Sequence, residues 1–267
     1  MEDDGSNFRF DEGLNIHLTT QVAQFTIQQM VNLSKDVIEK NYISIKQSIA
    51  EAALRSGRSI NDIQIMAVTK GFPLSFVELS VQAGIGLFGE NRVLEADQKY
   101  SHLLDQVELH LIGHLQRNKA KKAVGLFRCI QSIDKLETAE VLNKYALSQG
   151  KTLNILIQVN TSMEETKHGY TDPDKLFREL EKLQNLNQLC ITGLMTIAAF
   201  TKDEKKLRSC FIQLRELFDM IKKRFSLPQC TVLSMGMSHD YMIAVEEGSN
   251  LVRIGTALYG TRRGYHD

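Results

Sequence analysis

Lys70 closes an apolar run, Ala67-Val68-Thr69-Lys70, and a lysine in that place has two chemistries open to it. The plain one is a side chain that snorkels to water or pairs with a carboxylate. The reactive one is a Schiff-base lysine, because a partly desolvated ammonium has a lowered pKa and its free amine attacks a carbonyl carbon. Near the other end of the chain, Ser238 follows the apolar stretch Leu233-Ser234-Met235-Gly236-Met237, and Gly255-Thr256 follows the run 251–254. Hydroxyls and backbone N–H groups of this kind surround an anion such as phosphate, and glycine lets the backbone come close to it. Taken alone, Gly255-Thr256 reads as a tight turn.

These residues lie some 170–190 positions apart in sequence, so the fold has to bring them together. Eight short strand-like runs occur, at 63–68, 85–89, 109–113, 129–133, 153–159, 189–197, 231–235 and 251–254. Helical patterns fill the gaps, at 75–83, 92–105, 118–126, 135–148, 174–183, 203–225 and 241–247. A further helical pattern, Ile38, Tyr42, Ile45, Ile49, Ala52 and Ala53, precedes the first run and stops at Gly57. Strands alternating with helices imply βαβ units and a parallel sheet, whose strands are buried on both faces and need no clean alternation. Eight such units predict an α/β fold, a single (β/α)8 TIM-type barrel; an open doubly wound sheet is the other arrangement the pattern allows. In either, ligands bind at the carboxyl ends of the strands. The loops after the last two strands of such a barrel commonly form its phosphate site. A small phosphorylated aldehyde would satisfy both Lys70 and that site, and pyridoxal 5′-phosphate (PLP) fits the description.

The chain has 267 residues, with 32 Lys+Arg balancing 32 Asp+Glu, so no global basic field exists to hold nucleic acid or an acidic membrane surface. Cys129, Cys190, Cys210 and Cys230 are scattered, which argues for buried thiols in a reducing compartment and against a zinc or redox motif. The start, MEDDGSNF, is not a signal peptide, and no run reaches the roughly 20 apolar residues of a membrane helix. A cytoplasmic protein is expected, with residues 1–34 as a poorly ordered or partly helical extension and 35–267 as the barrel domain.

The strand ends carry a resemblance. AVTK (67–70), FGENR (88–92), HLIGHLQRNK (110–119), SID (132–134), QVN (158–160), GLM (193–195), LSMGMSHD (233–240) and VRIGTALYG (252–260) occur in this order. In these motifs the chain resembles the pyridoxal phosphate homeostasis proteins, single-domain relatives of the alanine racemase barrel, over roughly residues 37–262. The resemblance implies PLP held as an internal aldimine on Lys70. It implies a phosphate cradle of Ser238, Gly255 and Thr256, and Arg253 facing the pyridine nitrogen. Asn91 lies in the motif on the cofactor-facing rim, and Met237 and Ser234 line the pocket. His114 and Asn160 are weaker candidates.

Other signals carry less. His110 and His114 are four apart but sit in a strand-like stretch, about 13 Å from one another at strand rise, so no metal site is expected. The cluster Arg117, Lys119, Lys121 and Lys122 reads as a solvated helix face, as does Lys222-Lys223-Arg224 at a helix C-terminus. The leading expectation is a non-catalytic carrier that holds PLP, limits the free aldehyde and has PLP enzymes as clients, as a monomer or weak dimer. A PLP-dependent racemase or related enzyme acting on amino acids is the alternative, and a lysine-dependent aldolase a third. Arg253 disfavours the protonated pyridine that most PLP reactions use. The chain also ends soon after the eighth strand-like run, so no second domain is expected to supply the opposite-face base of a racemase.

Overall fold

Short apolar runs that end in glycine or a polar residue become parallel strands because both their faces are covered. The computed structural model describes residues 34–261 and contains β1 Gln64–Val68, β2 Leu87–Glu90, β3 Glu108–Leu111, β4 Cys129–Ile133, β5 Leu153–Gln158, β6 Leu189–Met195, β7 Val232–Met237 and β8 Leu251–Ile254. They pair in chain order, and β1 closes on β8 through Gln64↔Leu251 to Ala67↔Ile254. The sheet is therefore a closed parallel barrel and not an open doubly wound one.

Helices cover the outside: α1 Lys35–Arg55, α2 Leu74–Gln82, α3 Val93–Tyr100, α4 Ala120–Leu126, α5 Leu136–Ser148, α6 Pro173–Leu183, α7 Glu204–Phe225, α8 Tyr241–Glu246 and the short α9 Thr256–Tyr259. α1 buries Ile38, Ile45, Ile49, Ala52 and Ala53 on one face, as its spacing predicts. Ser34 caps its start by accepting the Val37 N–H, and Gly57 follows its end at φ +70°. α1 lies against α8 and α9, with Asn41 Nδ2 donating to the Leu258 carbonyl at 2.9 Å, so it seals the wall next to the closing strand pair. The third predicted helix is shorter than its pattern: α3 stops at Tyr100, and 101–106 continue as turns. The expected extension at 1–34 falls outside the described residues except for Ser34.

Two glycines shape the rim. A Cβ on Gly113 would stand 2.4 Å from the Asn91 carbonyl oxygen, so glycine there lets the chain after β3 pack directly on Asn91. Gly236 has φ +95° and sits where the register of β7 shifts against β8, between Ser234 and Met237. That shift re-aims Met237 and Ser238 across from Arg253. Among the described residues, no helix is long and apolar enough to cross a membrane.

Candidate functional site

A cavity of about 490 Å³ opens at the carboxyl ends of the strands. Lys70 after β1, Asn91 after β2, Met237 and Ser238 at the end of β7, Arg253 on β8, and Gly255 and Thr256 beyond it all line this one space. Residues separated by most of the chain thus face each other because β1 is the neighbour of β8.

Lys70 stands on a buried ionic platform. Lys99 Nζ, on α3, donates to Glu90 Oε1 at 2.8 Å, to Glu95 Oε1 at 2.6 Å and to the Thr69 carbonyl at 2.7 Å. Thr69 Oγ1 donates to Glu90 Oε1 at 2.7 Å and also meets Tyr100 Oη. The Gly71 N–H donates to Glu95 Oε1 at 2.6 Å. The residues on both sides of Lys70 are therefore fixed by one network. Burial pushes the Glu90 carboxyl above the usual carboxylate range, and Lys99 opposes that shift.

The opposite wall is organised around Arg253, which is 4% exposed. Its guanidinium donates to Ser234 Oγ and to the Thr196 carbonyl, each at 2.7 Å. Ser234 Oγ in turn donates to Gln131 Oε1 at 2.7 Å. Both partners of Arg253 are neutral. Desolvation pushes its pKa down to about 10, against the charge of Asp240, so it remains a cation at neutral pH. Ser234 is fully buried and stands behind Arg253, supporting it, where the sequence reading has it lining the pocket. Ser238 Oγ accepts the N–H groups of Gly255 at 3.1 Å and Ala257 at 3.2 Å, tying the loops after β7 and β8 together. Asp240 Oδ1 accepts the Met237 N–H and fixes the start of that loop.

His114 also lines the cavity, 3.3 Å from Asp134 Oδ2 through Nδ1. Desolvation holds its pKa below the ordinary histidine value, with Asp134 opposing. His110 belongs elsewhere: its Nε2 pairs with Glu108 and its Nδ1 with Gln131. Asn160 does not line the cavity. Its Nδ2 donates to the carbonyls of Glu164 and Lys167, which shapes the loop that brings Thr166, Lys167 and His168 to the rim.

Several residues here escape sequence reasoning. Glu90 is visible in the motif FGENR, but Lys99 reads as a surface helix position until α3 folds it under β1. Gln131 and Thr196 look like ordinary strand residues. His168 and Phe200 come from loops without a pattern. A second cavity of about 700 Å³ adjoins the first on the other side of Lys70, with Arg92, Gln116 and Lys119 among its walls.

Comparison with known proteins agrees with this arrangement. The family model described as alanine racemase, N-terminal domain, matches residues 38–263. A pyridoxal phosphate homeostasis protein of Pasteurella multocida is 37% identical over 228 residues, which cover 84% of this chain and 97% of that protein. A crystal structure of an unknown protein from Bifidobacterium adolescentis superposes with a TM-score of 0.79 at 32% identity, covering 84% of this chain and 95% of that one. The structure of PipY of Synechococcus elongatus with PLP bound superposes with a TM-score of 0.70 at 38% identity, covering 79% of this chain and all of that one. With motifs, barrel and relatives in agreement, this chain belongs to the pyridoxal phosphate homeostasis protein family, built on the alanine racemase N-terminal domain.

Proposed function

We propose that this chain binds PLP in the 490 Å³ cavity and serves in PLP homeostasis, holding the cofactor and releasing it. The observation that carries this reading is the meeting of Lys70, Ser238, Gly255, Thr256 and Arg253 around that single space. The set of groups fits the molecule: one amine, the hydroxyls of Ser238 and Thr256 beside Gly255, and a buried cation. PLP, when bound, supplies an electrophilic aldehyde carbon and a pyridine ring that can accept electrons. The chain's own residues decide what becomes of it. Lys70 is the covalent attachment point. Ser238, Gly255 and Thr256 hold the phosphate, while Asn91 and Met237 border the ring. Arg253 would set a fixed cation at the ring's end of the cavity, which disfavours a proton on the ring nitrogen.

An unprotonated ring is a weak electron sink, which favours storage over turnover. The protein is on this reading a cytoplasmic carrier, monomeric or a weak dimer, that passes PLP to client enzymes. Amino acids would compete with the Lys70 amine for the cofactor aldehyde. To test it, PLP-saturated protein is reduced with borohydride and its peptides are mapped. The adduct is expected on Lys70 and absent from Lys70→Ala. An adduct on another lysine, or none, overturns the reading. The same saturated protein is incubated with a panel of amino acids and analysed on a chiral column. Racemisation above about 1 s⁻¹, within the ordinary enzyme range, and lost in Lys70→Ala, would make it a racemase instead.

A further inference from the structure

Three consecutive strands send side chains to one point on the rim of this cavity. His114 follows β3, Asp134 follows β4, and His168 lies in the loop after β5. Asp134 Oδ2 is 3.3 Å from His114 Nδ1 and 3.5 Å from His168 Nδ1. One ligand atom from each residue lies within 4.8 Å of the other two. These separations exceed the roughly 2.7–2.9 Å of a charge-assisted hydrogen bond. They match the spacing of about 3.3–3.4 Å between ligand atoms in a tetrahedral shell with bonds near 2.0–2.1 Å. The Asp134 side chain is 7% exposed, and its Oδ1 has no hydrogen-bond partner among the described residues. A buried carboxylate with one oxygen unsatisfied and two imidazole nitrogens gathered at the other is a donor set that suits a cation.

We propose that His114, Asp134 and His168 form a binding site for a divalent transition-metal ion of the zinc class. Two nitrogens and one oxygen suit such an ion, whereas Ca²⁺ and Mg²⁺ prefer shells of oxygens. Three protein ligands leave a fourth position for water or for a donor on a molecule in the cavity. Both histidines line that cavity, so the open position borders it. The two rings stack, with centroids 4.1 Å apart and planes at 14°. A bound ion would require the rings to turn out of this stack so that their lone pairs converge. Their side chains are 32% and 56% exposed, which leaves room for that rotation. The site does not rest on the cofactor reading, since Lys70 is not a ligand.

The test uses the full chain, stripped with a chelator and dialysed. Zn²⁺ is titrated by calorimetry, and Co²⁺ serves as a visible probe of geometry. We expect one ion per chain and the d–d absorption of tetrahedral cobalt. His114→Ala, His168→Ala and Asp134→Asn should each weaken binding by at least about ten-fold. His168 lies on an exposed loop, so His168→Ala is the variant least exposed to a folding defect, and its metal-free melting temperature should equal that of the wild type. Lys70→Ala should bind the ion as the wild type does. Wild-type protein that takes up no zinc, or that titrates like His168→Ala, overturns the proposal.

Discussion

The two walls of the cavity handle a buried cation in opposite ways. Under β1 and β2, Lys99 is matched by Glu90 and Glu95. Under β7 and β8, Arg253 is as deeply buried, but among the described residues it hydrogen-bonds to a hydroxyl and a carbonyl alone. The first charge is neutralised inside the protein, so its role is to fix the backbone on both sides of Lys70. The second has no carboxylate hydrogen-bonded to it among the described residues and meets the charge of Asp240 only through space, so part of its positive field remains at the cavity wall, where a bound molecule can feel it. Burial alone does not mark a functional charge; what matters is whether a carboxylate is bonded directly to it.

The largest effect should come from breaking the balanced wall. Lys99→Met leaves Glu90 buried beside Glu95 without its cation, and loss of one partner of a buried pair costs about 3–5 kcal/mol. Adding Glu90→Gln should recover a large part of that loss. Arg253→Met, whose two hydrogen-bond partners are neutral and which meets Asp240 only through space, should cost about 1–3 kcal/mol. Urea unfolding of the variants measures all of these. If Lys99→Met costs no more than Arg253→Met, the distinction between the walls is wrong.

A smaller effect sharpens the same comparison on the ligand side. Ser238→Ala and Thr256→Ala should each weaken PLP binding about ten-fold or more, as expected for loss of a hydrogen bond to a charged group worth roughly 1.5–3 kcal/mol. Binding of pyridoxal, which lacks the phosphate, should barely change. Equal losses for the two molecules in a fluorescence titration would assign these residues to loop structure instead, since Ser238 also accepts two backbone N–H groups.

The smallest effect concerns histidines on the two walls. The hydrogen bond to Asp240 raises the His239 pKa, whereas desolvation lowers that of His114. A raised folded-state value stabilises the protein below the unfolded pKa of about 6.5, and that stability is lost as pH climbs through the raised value. A lowered value does the reverse: stability is lost as pH falls from about 6.5 through the lowered value. Unfolding free energies of His239→Asn and His114→Asn, each subtracted from wild type across this range, should therefore slope in opposite directions. Slopes of the same sign would show that one of the two environments is misassigned.

The positions of the strands were open to sequence reading because each is an apolar run between a helix and a polar tip. Cys129–Ile133 and Leu251–Ile254 match their predicted bounds. Elsewhere the edges drift by one or two residues at either end: the second run predicts strand from 85, yet β2 starts at Leu87, and the sixth predicts strand to 197, yet β6 ends at Met195, as Thr196 turns its hydroxyl to the Val159 carbonyl. Lys70, Ser238, Arg253 and Gly255 were readable from motif and strand end together. Ser234 was readable as a site residue but not as a support, because whether an inward side chain reaches the cavity or stops beneath it depends on its neighbours in three dimensions.

By itself, then, the sequence determined which segments are strands and helices and which residues stand at the strand ends, because periodicity and turn chemistry are local properties. The tertiary structure decided whether the sheet closes and who meets whom. Closure makes β1 the neighbour of β8, and this brings Lys70 to Arg253 and Thr256. It also folds Lys99 under Thr69, and gathers His114, Asp134 and His168 from three strand ends. Those contacts join residues tens to nearly two hundred positions apart. Their energies depend on burial and on partners that no local window of sequence contains.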